Sequence, residues 1–287
     1  MDLAVLGAGR VGTALAVLWR LSGHRIVAVS GGEATTERAA RHLPGVPVLG
    51  SVDAAREAGV VVIATPDAAI AGVSEEIARA GAVGPGTAVA HASGATGLDA
   101  IAAARSAGAE TFAIHPFQTC PTVEAAVAHL PGAGFAITSG TAEGLAIAER
   151  LALDAGGRPF PVDDELKPLY HAAAVFGSNY LVTVTAIAHQ LLRAAGIEDP
   201  AAILEPLQDA TLANVERVVP AAALTGPAVR GDAVTVARNL RALSERAPEA
   251  VRPYVALADL ALELAERAGR LPADGREAVE EVLAGWR

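Results

Sequence analysis

At 287 residues the chain is long enough for two domains of about 100–200 residues each. Hydrophobic residues make up 52% and charged residues 19%, which supports a large core and excludes global disorder. The net charge of −10 comes with no basic face of the kind a nucleic-acid binder needs.

The first half alternates short apolar runs with helical stretches. Leu3–Leu6 reads as a buried strand, and Val11–Leu21 follows with helical periodicity. Arg25–Ser30 is a second strand, Val46–Leu49 a short third and Val60–Thr65 a strong fourth. Ala68–Ala80 is helical. Thr87–His91, Thr111–His115 and Gly134–Thr138 are further strands, with helices expected at Leu98–Ala107 and Ala142–Ala155. This alternation predicts an α/β fold: an N-terminal, doubly wound, mainly parallel sheet. The strand ends Thr65, His91 and His115 would line one edge, where such sheets bind ligands. From Arg158 the pattern changes, and Arg158–Asp164, with two prolines, marks a boundary. The expected domains are 1–157 and an all-α 158–287. In the latter, Lys167–Ala195 reads as one long helix, followed by Pro200–Val218, Ala233–Arg246, Pro248–Ala268 and Gly275–Leu283.

Gly7, Gly9 and Gly12 form G-x-G-x-x-G directly after a strand and at the opening of a helix. In that setting the first glycine permits a tight turn. The second admits a pyrophosphate to the backbone, and the third lets helix and strand pack closely. Arg10 and Val11 complete the turn. At the end of the second strand, Ser30-Gly31-Gly32 stands where an NAD-preferring site places an acid. Ser30 and the Gly31 backbone could donate to a 2′-phosphate, with Arg10, Arg38 or Arg41 supplying charge. The expected cofactor is therefore NADP (NADPH), with NAD second.

Several motifs occur in order: Gly7–Gly12, Thr65-Pro66-Asp67, His91-Ala92-Ser93-Gly94, His115-Pro116-Phe117-Gln118-Thr119, Tyr170-His171-Ala172-Ala173, Ser178-Asn179-Tyr180-Leu181 and Leu224–Asp232. The set resembles a family of Rossmann-like NADP oxidoreductases that carry a C-terminal helical domain of unknown function, DUF2520. The wider superfamily includes 6-phosphogluconate dehydrogenase and pyrroline-5-carboxylate reductase. The resemblance implies the same two-domain layout and a homodimer joined through the helical domains. The related β-hydroxyacid dehydrogenases place a catalytic Lys and Asn four residues apart on the first interdomain helix. Here Asn179 is present, but Val175 stands at the lysine position.

Hydride transfer to a carbonyl or imine needs a proton donor and groups that orient the substrate. The candidates are His171, Lys167, His115, Ser178 and Asn179. Lys167 is the only lysine among 22 basic residues. It lies one helical turn before His171, and Ser178 lies about two turns after it, on the same face of a regular helix. Thr65 and Pro66 are expected beside the nicotinamide ribose, and Ser93 and Gly94 beside the nicotinamide or the substrate. Asp67 reads as a helix cap, as does Asp232. Arg230 is a weaker candidate for a substrate carboxylate.

The scattered histidines show no metal-ligand spacing, so no metal is expected. A lone cysteine, Cys120, and the lack of a basic n-region point to the cytoplasm; no membrane span is expected. Two functional readings stand: an NADPH-dependent reductase of a small carbonyl or imine metabolite in an interdomain cleft, and a non-catalytic NADP(H)-binding regulator. A reductase working on a deazaflavin partner is a third.

Overall fold

In the computed structural model, which describes residues 1–272 and 274–287, the opening apolar run becomes an inner strand of a seven-stranded sheet. The N-terminal unit runs β1 (Asp2–Leu6), α1 (Arg10–Leu21), β2 (Arg25–Ser30), α2 (Ala34–His42), α3 (Ser51–Arg56), β3 (Val60–Ile63), α4 (Asp67–Arg79) and β4 (Ala88–His91). It continues with α5 (Ala102–Ser106), β5 (Glu110–Pro116), α6 (Val123–His129), β6 (Gly134–Ser139), α7 (Ala142–Asp154), β7 (Arg158–Pro161) and α8 (Lys167–Ala174). The strand order is β2-β1-β3-β4-β5-β6-β7, parallel throughout except where β6 pairs antiparallel with β5.

Alternating side chains divide between two cores. Leu3, Val5, Val60, Val62, Phe112 and Ile114 pack with Trp19 on one face of the sheet. Ala4, Leu6, Val61, Ile63 and Ala113 pack with Ile70 and Ile77 on the other. Strands buried on both faces need unbroken apolar runs. That is why Val60–Ile63 reads so clearly in the sequence.

Three expectations are corrected. Val46–Leu49 forms only a single bridge, Val29 to Val48, because Pro47 has no N–H to extend the ladder. Arg158–Pro161 is a strand rather than a boundary. It occupies the sheet edge, where a proline's missing N–H can face outward. The N-terminal unit accordingly extends through Asn179. The single helix expected over Lys167–Ala195 runs unbroken to Ala194 but is not regular: α8 passes through a π-helical turn at Val175–Asn179 into α9 (Tyr180–Ala194). Gly177, Ser178 and Asn179 are weak helix formers, and the wider turn falls on them.

The C-terminal unit, Tyr180–Arg287, holds α9, α10 (Pro200–Arg217), α11 (Pro220–Ala223), α12 (Ala233–Arg246), α13 (Val251–Arg267) and α14 (Gly275–Ala284). Among the described residues it has no strand. Its core joins Val236 and Leu240 of α12 to Val255 and Leu262 of α13 and Val279 and Leu283 of α14. Asp232 caps α12 as expected, its carboxylate accepting from the Thr235 amide at 3.0 Å. In α9 no residue is buried, although Leu181, Val182 and Val184 are apolar.

Candidate functional site

The glycine turn joins β1 to α1, and its three glycines are held by different constraints. Gly7 has φ +92°, and a Cβ there would sit 2.6 Å from the Thr65 amide nitrogen. A Cβ on Gly12 would meet the Gly7 carbonyl oxygen at 2.6 Å and Val5 at 3.1 Å. Both positions are glycine because strand and helix pack closely. Gly9 differs: its φ is −73°, and a Cβ on it would come no nearer to any neighbour than the Gly7 oxygen at 3.9 Å. Nothing in the fold requires glycine at this position. It is the N-cap of α1, a helix with no side-chain cap and no acid in its first turn. The Gly7 and Ala8 amides are engaged by the Ser30 carbonyl at 2.9 and 2.8 Å. The amides of Arg10, Val11 and Gly12 open the helix and have no intrahelical acceptor. They form an anion-binding end.

Beside this turn lies a cavity of about 380 Å³, lined by Gly9, Gly31, Gly32, Thr35, Arg38 and Thr65 among others. Ser30 is buried, with its hydroxyl 3.4 Å from Ser51 Oγ, so the exposed part of the β2 end is the Gly31-Gly32 backbone. Of the three arginines, only Arg38 lines this cavity, donating to the Ala8 carbonyl at 2.7 Å. Arg10 donates to the Pro121 carbonyl at 3.2 Å, and Arg41 pairs with Glu124 at 2.9 Å.

A second cavity, about 210 Å³, shares Ala64 and Thr65 with the first and is further lined by Val11, Asp67, Ser93, His115 and Gln118. The register puts this at the strand C-termini: Ile63 pairs with His91, and His91 with Ala113. Thr65 Oγ1 is buried and has no partner among the described residues. Pro66, not Asp67, is the N-cap of α4. Asp67 is the exposed first helical residue, where its charge complements the helix dipole without capping it.

Ser93 does not offer its hydroxyl to a ligand. That oxygen accepts from the Thr96 amide at 3.0 Å and the Ala95 amide at 3.3 Å, and pairs with Thr96 Oγ1 at 2.9 Å. The Ser93 amide donates to His91 Nδ1 at 3.2 Å. The loop is held from α8: Lys167 is 1% exposed, and its Nζ donates to the Ser93 carbonyl at 3.1 Å. Just upstream, the Asp164 carboxylate accepts from the Leu98 amide at 2.9 Å. Gly94 then lies against His115, whose ring atoms would be 2.7–2.9 Å from a Cβ at that position.

Burial lowers the His115 pKa to about 4, reinforced by the charges of Lys167 and His171 and opposed by Asp67. Burial, then Lys167, does the same to His91, also to about 4, against the Gly97 backbone and Asp67. Lys167 itself is lowered by burial, with Asp164 and Asp67 pulling the other way. Both histidines are therefore neutral near pH 7. The His171 ring stands edge-on to His115 at 6.2 Å, and its buried Nδ1 has no partner among the described residues.

Of the five catalytic candidates, the structure brings three together: Lys167, His115 and His171. Ser178 and Asn179 lie on the π turn; of the five, only His115 itself lines either cavity, with His171 and Lys167 placed beside it. The expectation that Ser178 shares a face with His171 assumes a regular helix, and the π-helical turn at Val175–Asn179 changes that spacing. Tyr170 is not among the five. Its phenol lies 2.8 Å from His115 Nδ1, and its ring packs against Phe117 at 5.2 Å and Phe160 at 6.0 Å. The spacing Lys167, Tyr170, His171 (i, i+3, i+4) is one helix face and could have pointed to it. Its partner Phe160, on the strand that reads as a linker, could not be placed from sequence.

Residues 1–116 match the model of a Rossmann-like domain, and residues 133–261 match that of a domain of unknown function, DUF2520. A comparison with curated proteins returns no match. Among solved structures, a provisionally assigned NADP oxidoreductase of Bacteroides fragilis is 24% identical, with a TM-score of 0.76 over 91% of this chain and 98% of that one. A reductive aminase of Aspergillus terreus, solved with NADPH and ethyl levulinate, is 19% identical, with a TM-score of 0.66 over 98% of each chain. A pyrroline carboxylate reductase of Plasmodium falciparum, solved with NADP, is 12% identical, with a TM-score of 0.61 over 97% of this chain and 98% of that one. At these identities the likeness establishes the fold. The chain thus combines a Rossmann-like domain with a DUF2520 domain.

Proposed function

We propose that this protein is an NADP(H)-dependent oxidoreductase acting on a small carbonyl or imine compound at the C-terminal edge of its sheet. One observation carries the reading: Gly9 stands at an uncapped helix N-terminus where the fold itself would accept a side chain. A ligand backed against that turn explains the glycine, and a pyrophosphate suits the amides there. The neighbours solved with NADPH or NADP share this fold and support the choice of ligand. β2 itself ends in Ser30 with no acid until Glu33, which also lines the cavity, and this favours NADP over NAD, with the Gly31-Gly32 backbone and Arg38 as the groups for the 2′-phosphate.

The cofactor would supply hydride. The protein's part is to hold and polarise the substrate. Thr65 Oγ1 and His171 Nδ1 are buried polar atoms at this edge that still need partners, and His115 lines the smaller cavity. We assign His171 as the proton donor and His115 as a group contacting substrate. Lys167, committed to the Ser93 carbonyl, shapes the loop. We further propose that the protein works in the cytoplasm as a homodimer. The helical run Asp164–Ala194 is long and apolar enough by length and composition to cross a membrane, and the window that qualifies is unburied. His171, Ser178, Asn179, Thr183, Thr185, His189 and Gln190 interrupt it, which suits a partially polar protein interface better than lipid.

Calorimetry with NADPH and NADP tests the binding reading, and NADPH oxidation across keto acids, cyclic imines and a deazaflavin tests turnover. His171→Ala is expected to retain NADPH affinity and lose turnover. Tight NADPH binding with no turnover on any compound points instead to a cofactor-sensing regulator. Light scattering should give twice the chain mass, reduced to the monomer by Val182→Glu.

A further inference from the structure

His115 has two ring nitrogens with different surroundings. Nδ1 is 2.8 Å from the Tyr170 hydroxyl. Nε2 has no protein partner among the described residues, and the ring lines the 210 Å³ cavity beside Ser93 and Gln118. The Tyr170 phenol is half-buried and boxed by the rings of Phe117, Phe160 and His115. Its hydroxyl has no other hydrogen-bond partner among the described residues.

Two arrangements satisfy the 2.8 Å contact. If Nδ1 carried the proton and donated, the phenol hydrogen would need a second acceptor, which the described residues do not supply. If the phenol donates to Nδ1, its one hydrogen is used and the imidazole's proton goes to Nε2. The second is also the better match of strengths, since a phenol is a much stronger acid than a neutral imidazole N–H. We propose that Tyr170 is a positioning residue: its hydroxyl donates to His115 Nδ1, fixing the Nε2–H tautomer and presenting a neutral hydrogen-bond donor to the cavity.

Burial raises the Tyr170 pKa, keeping the phenol protonated, and burial keeps His115 neutral, so the pair holds this pattern near pH 7. Gly94 under the ring and Tyr170 at its edge restrict how the imidazole turns. The consequence for substrate class rests on the oxidoreductase reading. An N–H donor serves a substrate atom with a lone pair, a carbonyl oxygen or a neutral imine nitrogen, and polarises it. It offers nothing to an iminium nitrogen that is already protonated.

The test is nitrogen-15 NMR on the full-length protein labelled at histidine, with His115→Asn used to assign the ring. At pH 7 we expect Nε2 to resonate as a protonated, pyrrole-type nitrogen and Nδ1 as an unprotonated nitrogen shifted by a hydrogen bond. In Tyr170→Phe, which keeps the aromatic ring, Nδ1 should move to the position of an unbonded, pyridine-type nitrogen, while the NADPH dissociation constant stays within about twofold. A protonated Nδ1 in the wild type overturns the proposal. So does a Tyr170→Phe spectrum in which Nδ1 does not move. Failure of the wild-type protein to bind NADPH, with the tautomer pattern as expected, would break the dinucleotide reading and leave the Tyr170–His115 pairing standing.

Discussion

The same sheet carries cavities at both of its edges, and they differ in more than size. The larger, about 720 Å³, lies at the strand N-termini and is lined by Asp2, Thr87, Glu110 and Glu143 with three glycines and Pro85. The two at the strand C-termini are about 380 and 210 Å³. Yet the smaller pair has the uncapped start of α1, the unpartnered Thr65 hydroxyl, and His115, beside which His171 and the buried Lys167 are placed. At the N-terminal edge the polar side chains are largely engaged within the protein: Asp2 accepts from Arg25, Glu110 accepts from the Thr141 hydroxyl, and the Thr87 hydroxyl donates to the Gly84 carbonyl. Volume therefore does not mark the site. Parallel strands and their crossover helices direct helix N-termini to one edge only, and unsatisfied donors collect there.

The sharpest way to break this contrast is at Gly7. Gly7→Val forces a β-branched residue into a positive-φ turn and against the Thr65 backbone, and should cost more than about 3 kcal/mol in urea unfolding. A stable Gly7→Val protein would show that the turn is not the constrained point of the fold.

Acid should act on the same edge. His91 and His115 are each held near 4 in the folded protein, below the 6.5 of an unperturbed histidine. A depressed pKa means that the unfolded chain takes up these protons first as pH falls. Stability is thus highest above pH 6.5 and declines as pH drops from 6.5 towards 4, by up to about 3 kcal/mol for the fully buried His91. His91→Gln should flatten part of that slope in denaturant titrations across this range. An unchanged slope would mean the histidine is not held neutral by burial.

Gly9→Ala separates ligand from fold. We expect unfolding free energy to change by less than about 0.5 kcal/mol and NADPH affinity to fall at least ~10-fold, about 1.4 kcal/mol. Equal NADPH affinity in the variant would remove the pyrophosphate from this turn. The smallest effect is expected at the opposite edge, where Glu143→Gln should leave NADPH affinity within roughly twofold, since this cavity lies at the far end of the strands from the glycine turn. A larger change would move attention to the bigger cavity.

Much of this is legible in the residues. Val60–Ile63 has the unbroken apolar run of a strand buried on both faces, and Gly7, Gly9 and Gly12 punctuate a strand–helix turn. Asp232 sits ahead of α12 as a cap does. Such features depend on neighbours close in sequence. The strand of Arg158–Pro161 is hidden because its prolines read as a break, and only its place at the sheet edge makes them acceptable. Tyr170 is visible as part of a motif, but its role is hidden because that depends on His115, 55 residues away.

The sequence by itself determined the α/β alternation, the helical character of the chain from Lys167 onward and the glycine turn, because periodicity and backbone sterics act over a few residues. Only the tertiary structure decided that Ser93 is spent on its own loop, that Lys167 is buried against it, that the helix after Lys167 widens at Val175–Asn179, and that Tyr170 holds His115. Those outcomes turn on burial and on hydrogen bonds between distant segments, and a protein interior assigns them only once every donor and acceptor around them has been placed.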